Sequence, residues 1–481
     1  MAHLERRLGL RHALSANLLS MVGIGPFLTI PTMVRVMGER HVLWAWLAGA
    51  VLALCDGLVF AHFGAALPGS GGAYRYLSES YKPLGLGRFV SFLFLMQVLF
   101  TAPLSIAGGA VGFADYLGYE WPAMTDWQHH GIAAALCVTV TWLLYRDIRS
   151  IGRLSMGMVA VVIATLASIV LGGAWSMAEQ YFSGVHGAGP STAWVRLPRS
   201  WDAAALSDMA NMTGIAGLGS ASLLAMYNYG GYNTACNLGD ELREPARTLP
   251  RAILLSIAIA VVLNVAVSSA FSWVVPRHEL IATRTVAPLF VRHLFGDSSL
   301  GPLLARAITL AVLVVAATSL YALLLGYSRV PFAAAQQGHF FRAFGRVHPT
   351  KNFPHVSVLA LGLASVPFCF LPIVKLIQYL MLVQIVMQFL WLSAGVVLLH
   401  RHRKDIAQPF RMPWFPLPAC IAWCMWAYVF ATAPREGQLL AVGFFVAGVA
   451  LYALYRRTTT TEAQVSRYEA RSPLHSVEDG L

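Results

Sequence analysis

Charged side chains are scarce in this 481-residue chain: Asp, Glu, Lys and Arg make up 12% of it, against 57% hydrophobic residues and a mean hydropathy of +0.62. A soluble domain carries about 25% charge, so an ordinary water-soluble enzyme is excluded. Cysteine is also sparse. The six, Cys55, Cys137, Cys236, Cys369, Cys420 and Cys424, fall in or at the ends of apolar stretches, poor placement for a disulfide framework in an outer loop. Cys420 and Cys424 share a helix face without His or acidic company and read as packing residues, so no metal site is expected. Paired carboxylates, a nucleophile beside a base and a metal-ligand motif are all missing, which argues against an enzyme and implies no cofactor. His129 and His130 are adjacent, and consecutive side chains do not converge on one ion. The pI of about 9.6 requires no nucleic acid, because the basic residues sit in short segments beside apolar runs and form no stripe with interleaved aromatics. Neither a filter loop nor a ring of pore-lining charge occurs, which argues against a channel.

What the chain has is apolar length. At about 20 residues per membrane span, it reads as twelve helices over roughly 12–37, 43–67, 84–114, 131–145, 154–178, 213–238, 251–275, 301–328, 355–371, 373–399, 414–432 and 437–455. The expected fold is an all-α integral membrane protein with twelve transmembrane helices in contact with lipid. Arg6, Arg7 and Arg11 precede an apolar stretch too long for a signal-peptide core, so that stretch is expected to stay as the first span. With the N-terminus inside, most of the 34 Lys and Arg residues fall on the inner side, the segment with Arg277, Arg284 and Arg292 being the main exception. The positive-inside rule then places both termini in the cytoplasm of a cell-membrane protein.

Two spans are interrupted. Gly23, Ile24, Gly25 and Pro26 break the first, and Asn228, Tyr229, Gly230 and Gly231 break the sixth. In hydrocarbon every peptide N–H and C=O needs a partner, so unwound backbone persists there only where it lines a cavity. Corresponding breaks in two halves point to the substrate site of a solute carrier. The spans divide as a 5+5 inverted repeat plus two: an N-terminus over 1–11, a first five-helix repeat over 12–178, an outer loop over 179–212, a second repeat over 213–399, the last two helices over 400–456 and a polar, disordered tail over 457–481. The repeat is inferred from topology and break position.

Each break suggests its own chemistry. Gly weakens the first helix and Pro26 deletes an amide, so a new helix starts near Pro26 and presents free N–H groups to a carboxylate. In the sixth, Met226, Tyr227, Asn228, Tyr229, Gly230, Gly231, Tyr232 and Asn233 combine loose backbone, three rings and two amides, so freed carbonyls can hold an ammonium while a ring covers it. Gln97 and Thr101, and Gln384 with Gln388, are polar pairs at one-turn spacing that suit a side-chain pocket or interhelical hydrogen bonds. No acidic residue accompanies either break, which favours a ligand with a neutral side chain.

These residues resemble the amino acid, polyamine and organocation transporter superfamily, nearest to its L-type amino acid transporter-like permeases. The resemblance runs through Gly23, Ile24, Gly25, Pro26, Phe27 and Pro31, then Pro68 to Leu77, then Tyr229 to Asn233 with Asp240 to Pro250, then Ser328, Arg329, Gly338, His348, Pro349 and Pro354. It implies a LeuT-like fold with broken helices 1 and 6, and a secondary active permease that moves amino acids by alternating access. Substrate-binding residues are then Met21, Gly23, Ile24, Gly25, Tyr227, Asn228, Tyr229, Gly230 and Gly231, with Tyr227 as the gating aromatic and Gln97, Thr101 and Gln384 as the side-chain pocket. Asp240 and Glu241 with Arg243 and Arg247 form a salt-linked inner anchor. Pro26 stands where Ile is commoner, a pattern similar to polyamine-transporting relatives, so a polyamine or cationic amino acid carrier is the first alternative. A nutrient sensor with a transporter fold is the second.

His62 occupies the place of a common Glu, and Val162 that of a lysine often used in proton coupling or exchange. Asp56, an intramembrane carboxyl, is a candidate for ion coupling, as a proton carrier or as partner to a cation, beside the reading of a protonated or hydrogen-bonded carboxyl facing the bundle; Thr318 and Ser319 offer oxygens to Na⁺ or bond their own helix backbone. The stretch from Asp115 to Gly131 has no cysteine, so no disulfide-linked heavy subunit is expected.

Overall fold

The computed structural model describes residues 8–38, 41–69, 71–146, 151–182, 212–296, 298–336, 338, 340–348 and 353–469. Among them every regular element is helical, and extended backbone pairs at one isolated bridge, Leu8 with Leu242. The first apolar stretch forms α1 (Leu10–Met21) and α2 (Gly25–Met37), bent by 45°. Then come α3 (Val42–Ala66), α4 (Ala73–Tyr81), α5 (Gly87–Glu120), α6 (Asp126–Arg146) and α7 (Ile151–Phe182). α8 (Met212–Tyr229) gives way to a 3₁₀ turn over Thr234–Leu238, and α9 (Pro245–Val274), α10 (Arg277–Leu280), α11 (Val286–Phe295) and α12 (Leu300–Gln336) follow. α13 (His355–Ala364) tightens into a 3₁₀ turn over Val366–Phe370, where Pro367 cannot supply a helical amide. α14 (Ile373–Gln384) and α15 (Leu390–His402) are joined by the π-helical Ile385–Phe389, and α16 (Leu417–Ala431) and α17 (Arg435–Glu469) end the chain's described part.

Among the described residues seven helices are long and apolar enough to cross a membrane: α3, α5, α7 (over Ala160–Glu179), α9, α12, the α14–α15 run and α17 (over Arg435–Arg456). The bent α1–α2 pair makes an eighth. The helices pack in two groups. In one, α3 lies against α8 and α9, α1 against α9, and α2 against α8; in the other, α5 lies against α6 and α12, and α13 against α6 and α12. Small residues permit these contacts. A Cβ at Gly49 of α3 would stand 2.7 Å from the Ala225 Cβ of α8. α7 touches both groups and leaves Leu171 and Trp175 exposed, as a lipid-facing helix does.

Both ends of the bundle are tied. At the amino-terminal end the Leu8 amide donates to the Glu241 carbonyl (3.0 Å) and the Arg243 amide to the Leu8 carbonyl (2.8 Å). Gly239 rests on Gly69, where a Cβ would meet the Gly69 nitrogen at 2.5 Å. Of the expected salt-linked set, Glu241 pairs with Arg329 from α12 (3.3 Å), and Arg247 pairs with the exposed Glu244 (3.6 Å). Arg403 joins Glu79 (2.6 Å) to Asp405 (2.9 Å) and holds the Asp405 carboxyl below the usual carboxylate range. At the opposite end Arg35 of α2 donates to the Ile281 carbonyl, and Arg284 lies 3.8 Å from Asp115, itself bonded to His129 (3.1 Å).

Three stretches outside the expected spans are in part helical. Residues 276–300, left between the spans read at 251–275 and 301–328, contain α10 and α11; Val286, Ala287, Phe290 and Val291 give α11 a buried face. The tail, read as disordered from 457, continues α17 to Glu469, because no Gly or Pro interrupts that stretch. Of the outer loop 179–212, α7 takes in the first residues to Phe182, and 183–211 lie outside the described residues.

Candidate functional site

The first break opens where the sequence places it. Val22 closes α1 with its amide on the Leu18 carbonyl (2.7 Å), and α2 restarts at Gly25 with Pro26 in its first turn. Among the described residues the amides of Gly23 and Ile24 have no backbone acceptor, and Gly25 is the first residue of a helix, whose leading N–H groups lack intrahelical partners. These donors and the positive end of the α2 dipole suit an anion such as a carboxylate.

The second break is sharper. α8 ends at Tyr229, the Gly230 amide still reaches the Met226 carbonyl (2.8 Å), and Gly231 turns the chain with φ +107°. The carbonyls of Tyr227, Asn228 and Tyr229 then accept no backbone amide among the described residues. The breaks touch. A Cβ on Gly231 would stand 2.7 Å from the Ser20 Cβ and 2.8 Å from the Ser20 carbonyl carbon. Asn228 fastens α8 to α2: its Nδ2 donates to Thr29 Oγ1 (2.7 Å) and to the Leu224 carbonyl (2.7 Å), while Thr29 Oγ1 donates to the Gly25 carbonyl (3.0 Å). Its Oδ1 has no hydrogen-bond partner and faces Gly25.

A cavity of about 150 Å³ lies between the breaks and extends toward the amino-terminal end, past Asn237, Ala73 and Val330. Met21, Gly23, Ile24, Gly25, Tyr227, Asn228, Gly230 and Gly231 line it. The Tyr227 ring passes 3.5 Å from the Cβ position of Gly25, and its hydroxyl lies 3.8 Å from that of Gly108, so it bridges the first break and α5. Gln97 and Gln384 also line the wall. Gln97 Nε2 donates to Thr101 Oγ1 (2.7 Å), and Gln97 Oε1 is buried without a partner. Among the described lining residues none is Asp, Glu, Lys, Arg or His.

Four sequence candidates lie elsewhere. Tyr229 turns away from the cavity, with its hydroxyl on the Trp46 carbonyl (3.2 Å) and its ring against Trp46, because α3 offers a groove at Gly49. Thr101 is one layer behind the wall and serves Gln97. Thr318 is off the cavity, and its hydroxyl donates to the Val315 carbonyl (2.9 Å), as Ser319 also does (2.9 Å). Ser319 does reach the wall, beside Gly23. Asp56 is fully buried and accepts from Tyr232 Oη (2.5 Å) and Trp426 Nε1 (3.2 Å).

Residues 8–454 match the profile of the amino acid permease family. The chain belongs to that family. The permease is 32% identical over 362 residues to an uncharacterized transporter of Mycobacterium tuberculosis, covering 75% of this chain and 72% of that relative. It is 26% identical over 369 residues to the serine/threonine exchanger of Bacillus subtilis, covering 74% of each. To the branched-chain amino acid permease of the same organism it is 22% identical over 476 residues, 94% of each.

The permease's cavity also uses residues that sequence reasoning passed over: Ser105, Asn237 and Tyr327. Ser105 lies four residues beyond Thr101 and eight beyond Gln97, the helical spacing that would have found it. Tyr327 on α12 faces Ser105 and Gln384 across the cavity, and Ser319, Leu323 and Val330 share its stripe. Val162, where the resemblance anticipates a lysine, is buried among Leu18, Leu19, Val22 and Leu263, so α7 brings apolar surface to the first break.

Proposed function

We propose that this permease carries a neutral amino acid across the cell membrane as a secondary active transporter working by alternating access. The observation that carries the reading is a cavity with an uncharged wall, set between free amides on one broken helix and free carbonyls on another. Amides of Gly23, Ile24 and Gly25 receive the substrate carboxylate, and carbonyls of Met21 and of Tyr227 to Gly230 receive the ammonium. A zwitterion thus replaces the hydrogen bonds that unwinding removed. A polyamine or a cationic side chain would need a carboxylate in the wall, and the described lining residues supply none.

The helices α6, α8 with its 3₁₀ turn, α13 with its 3₁₀ turn, and α16 complete twelve spans in this reading, arranged as two inverted fives plus two. The group of α1, α2, α3, α8 and α9 rocks against the group of α5, α6, α12 and α13, with both termini in the cytoplasm. The segment of α10 and α11 then closes the outer side, tied down by Arg35 and Arg284.

Purified protein in liposomes, offered a panel of labelled neutral and basic amino acids and putrescine, tests the proposal. Uptake of neutral amino acids is expected. Uptake of putrescine with no amino acid would overturn it, as would binding without translocation.

The wall also forecasts selectivity. Gln97 Oε1 awaits a donor, and leaving such a buried acceptor unpaired costs about 1–3 kcal/mol. Substrates with a hydroxyl or amide side chain should therefore outcompete isosteric aliphatic ones. Gln97→Leu is expected to lower uptake of serine, threonine or asparagine roughly tenfold while sparing alanine and valine. Equal losses across the panel would remove Gln97 from the side-chain pocket.

A further inference from the structure

We propose that Asp56 is the proton-binding group through which this permease draws on a proton gradient, and that Tyr232 reports its protonation to the cavity. The inference rests on the transport reading above. Of the buried side chains among the described residues, Asp56 and His62 are the two from the usual charged or imidazole classes. His62 lies six residues further toward the carboxyl-terminal end of α3, and its ring stacks on Phe415, away from the cavity. Asp56 is in direct contact with the second break through Tyr232, which lines the cavity.

The bonding of the carboxyl makes it a two-state element. Tyr232 donates to Oδ2 and Trp426 to Oδ1, so both oxygens of the carboxylate are served, and by neutral groups. Among the described residues no cation pairs with it: α8 and α16 contain no charged residue, Arg247 and Arg251 of α9 are exposed in its first two turns, Arg35 of α2 is held on the Ile281 carbonyl, and His400, Arg401 and His402 are exposed in the last turn of α15. The titratable neighbours are the Tyr232 phenol, the Cys236 thiol beyond it, and Cys55 beside it in sequence. A buried carboxylate without a counter-charge costs several kcal/mol, whereas the neutral acid only has one O–H to place. The indole of Trp426 is a donor alone, so that O–H has to be donated from Oδ2 to the Tyr232 oxygen. The phenol proton is then turned out toward the cavity. One proton from cavity water thus converts Tyr232 from a donor to Asp56 into a donor to the cavity, and its release on the other side reverses the exchange.

Coupling of this kind separates accumulation from exchange. In proteoliposomes holding the full chain, labelled L-serine, or whichever amino acid the panel identifies, is offered with an imposed gradient of about one pH unit, inside alkaline. One proton per substrate sets a limit of about tenfold accumulation, the ratio of the two proton concentrations. Wild type should approach that limit and lose it with a protonophore, and a Na⁺ gradient should not substitute. Asp56→Asn is expected to bring accumulation down to equilibration while counterflow exchange persists, and Tyr232→Phe to weaken it the same way. Trp426→Phe, which keeps the Asp56–Tyr232 bond but frees Oδ1 to carry the proton, should weaken it less than Tyr232→Phe does. Exchange without any pH-driven accumulation in wild type would sink the coupling role and leave the transport reading intact; no amino acid movement at all would sink both. Accumulation by Asp56→Asn equal to wild type would also overturn it. So would loss of exchange in a well-folded Asp56→Asn, which would make Asp56 a structural anchor for Trp426.

Discussion

Gly231→Ala is expected to reduce amino acid uptake at least a hundredfold with the protein still inserted. The residue sits at φ +107°, where a side chain costs about 1–3 kcal/mol of strain. Its new methyl would also enter the Ser20 backbone, at 2.8 Å from the carbonyl carbon and 3.0 Å from the oxygen. Overpacking adds about 1–3 kcal/mol, and backbone cannot rotate aside as a side chain can. Either the second break moves or the first does. Since about 1.4 kcal/mol is tenfold in an equilibrium, a few kcal/mol spent on separating the breaks removes the binding geometry. Uptake in liposomes, normalised to inserted protein, reads the effect; Gly443→Ala, with nothing within 4 Å of its Cβ position, is the control. Uptake within a factor of three of wild type would refute the contact between breaks as a requirement.

Gly25→Val should be equally damaging by another route. A Cβ there runs into Asn228 Oδ1 and comes 3.5 Å from the Tyr227 ring. Asn228 cannot swing away without giving up its bonds to Thr29 and Leu224, each 2.7 Å long. The valine methyls would also occupy the space beside the amides offered to the carboxylate. Substrate affinity, measured by competition against a labelled amino acid, is expected to fall more than a hundredfold. Gly23→Ala supplies the graded comparison, because its neighbour is the Ser319 hydroxyl at 2.8 Å, a group that can change rotamer. A loss of about tenfold or less is expected there. If Gly23→Ala proved the worse of the two, the carboxylate would have to be placed nearer α12.

Both breaks were legible because Gly and Pro act locally, through missing Cβ atoms and a missing amide, and local rules survive folding. Membership of the permease family was legible for the same reason, since its signatures fall at turns and breaks. Side-chain direction was not. Tyr229 lies in the same motif as Tyr227, yet one is held against Trp46 and the other lines the cavity, a difference set by the rotation of α8 against Gly49 of α3. Tyr327 was missed because it sits in an apolar helix whose inward face only the packing of α5 on α12 defines, whereas Ser105 was within reach of the helical spacing from Gln97 and Thr101. The same holds for Asp56, visible as an intramembrane acid but without its partners, which come from positions 176 and 370 residues away along the chain. Cys137 and Cys369 also meet unannounced, with sulfurs 3.7 Å apart.

The pairing of Leu8 with residues 241 to 243 is made by peptide groups alone. A comparison of related chains would therefore see position 8 drift among apolar side chains, since the Leu8 side chain also packs on the core. Proline is the exception, since it has no hydrogen to give to Glu241. Affinity tags spliced close to that residue would tug on the half-helix that ends at the first break, and the carboxyl terminus is the safer place to attach them.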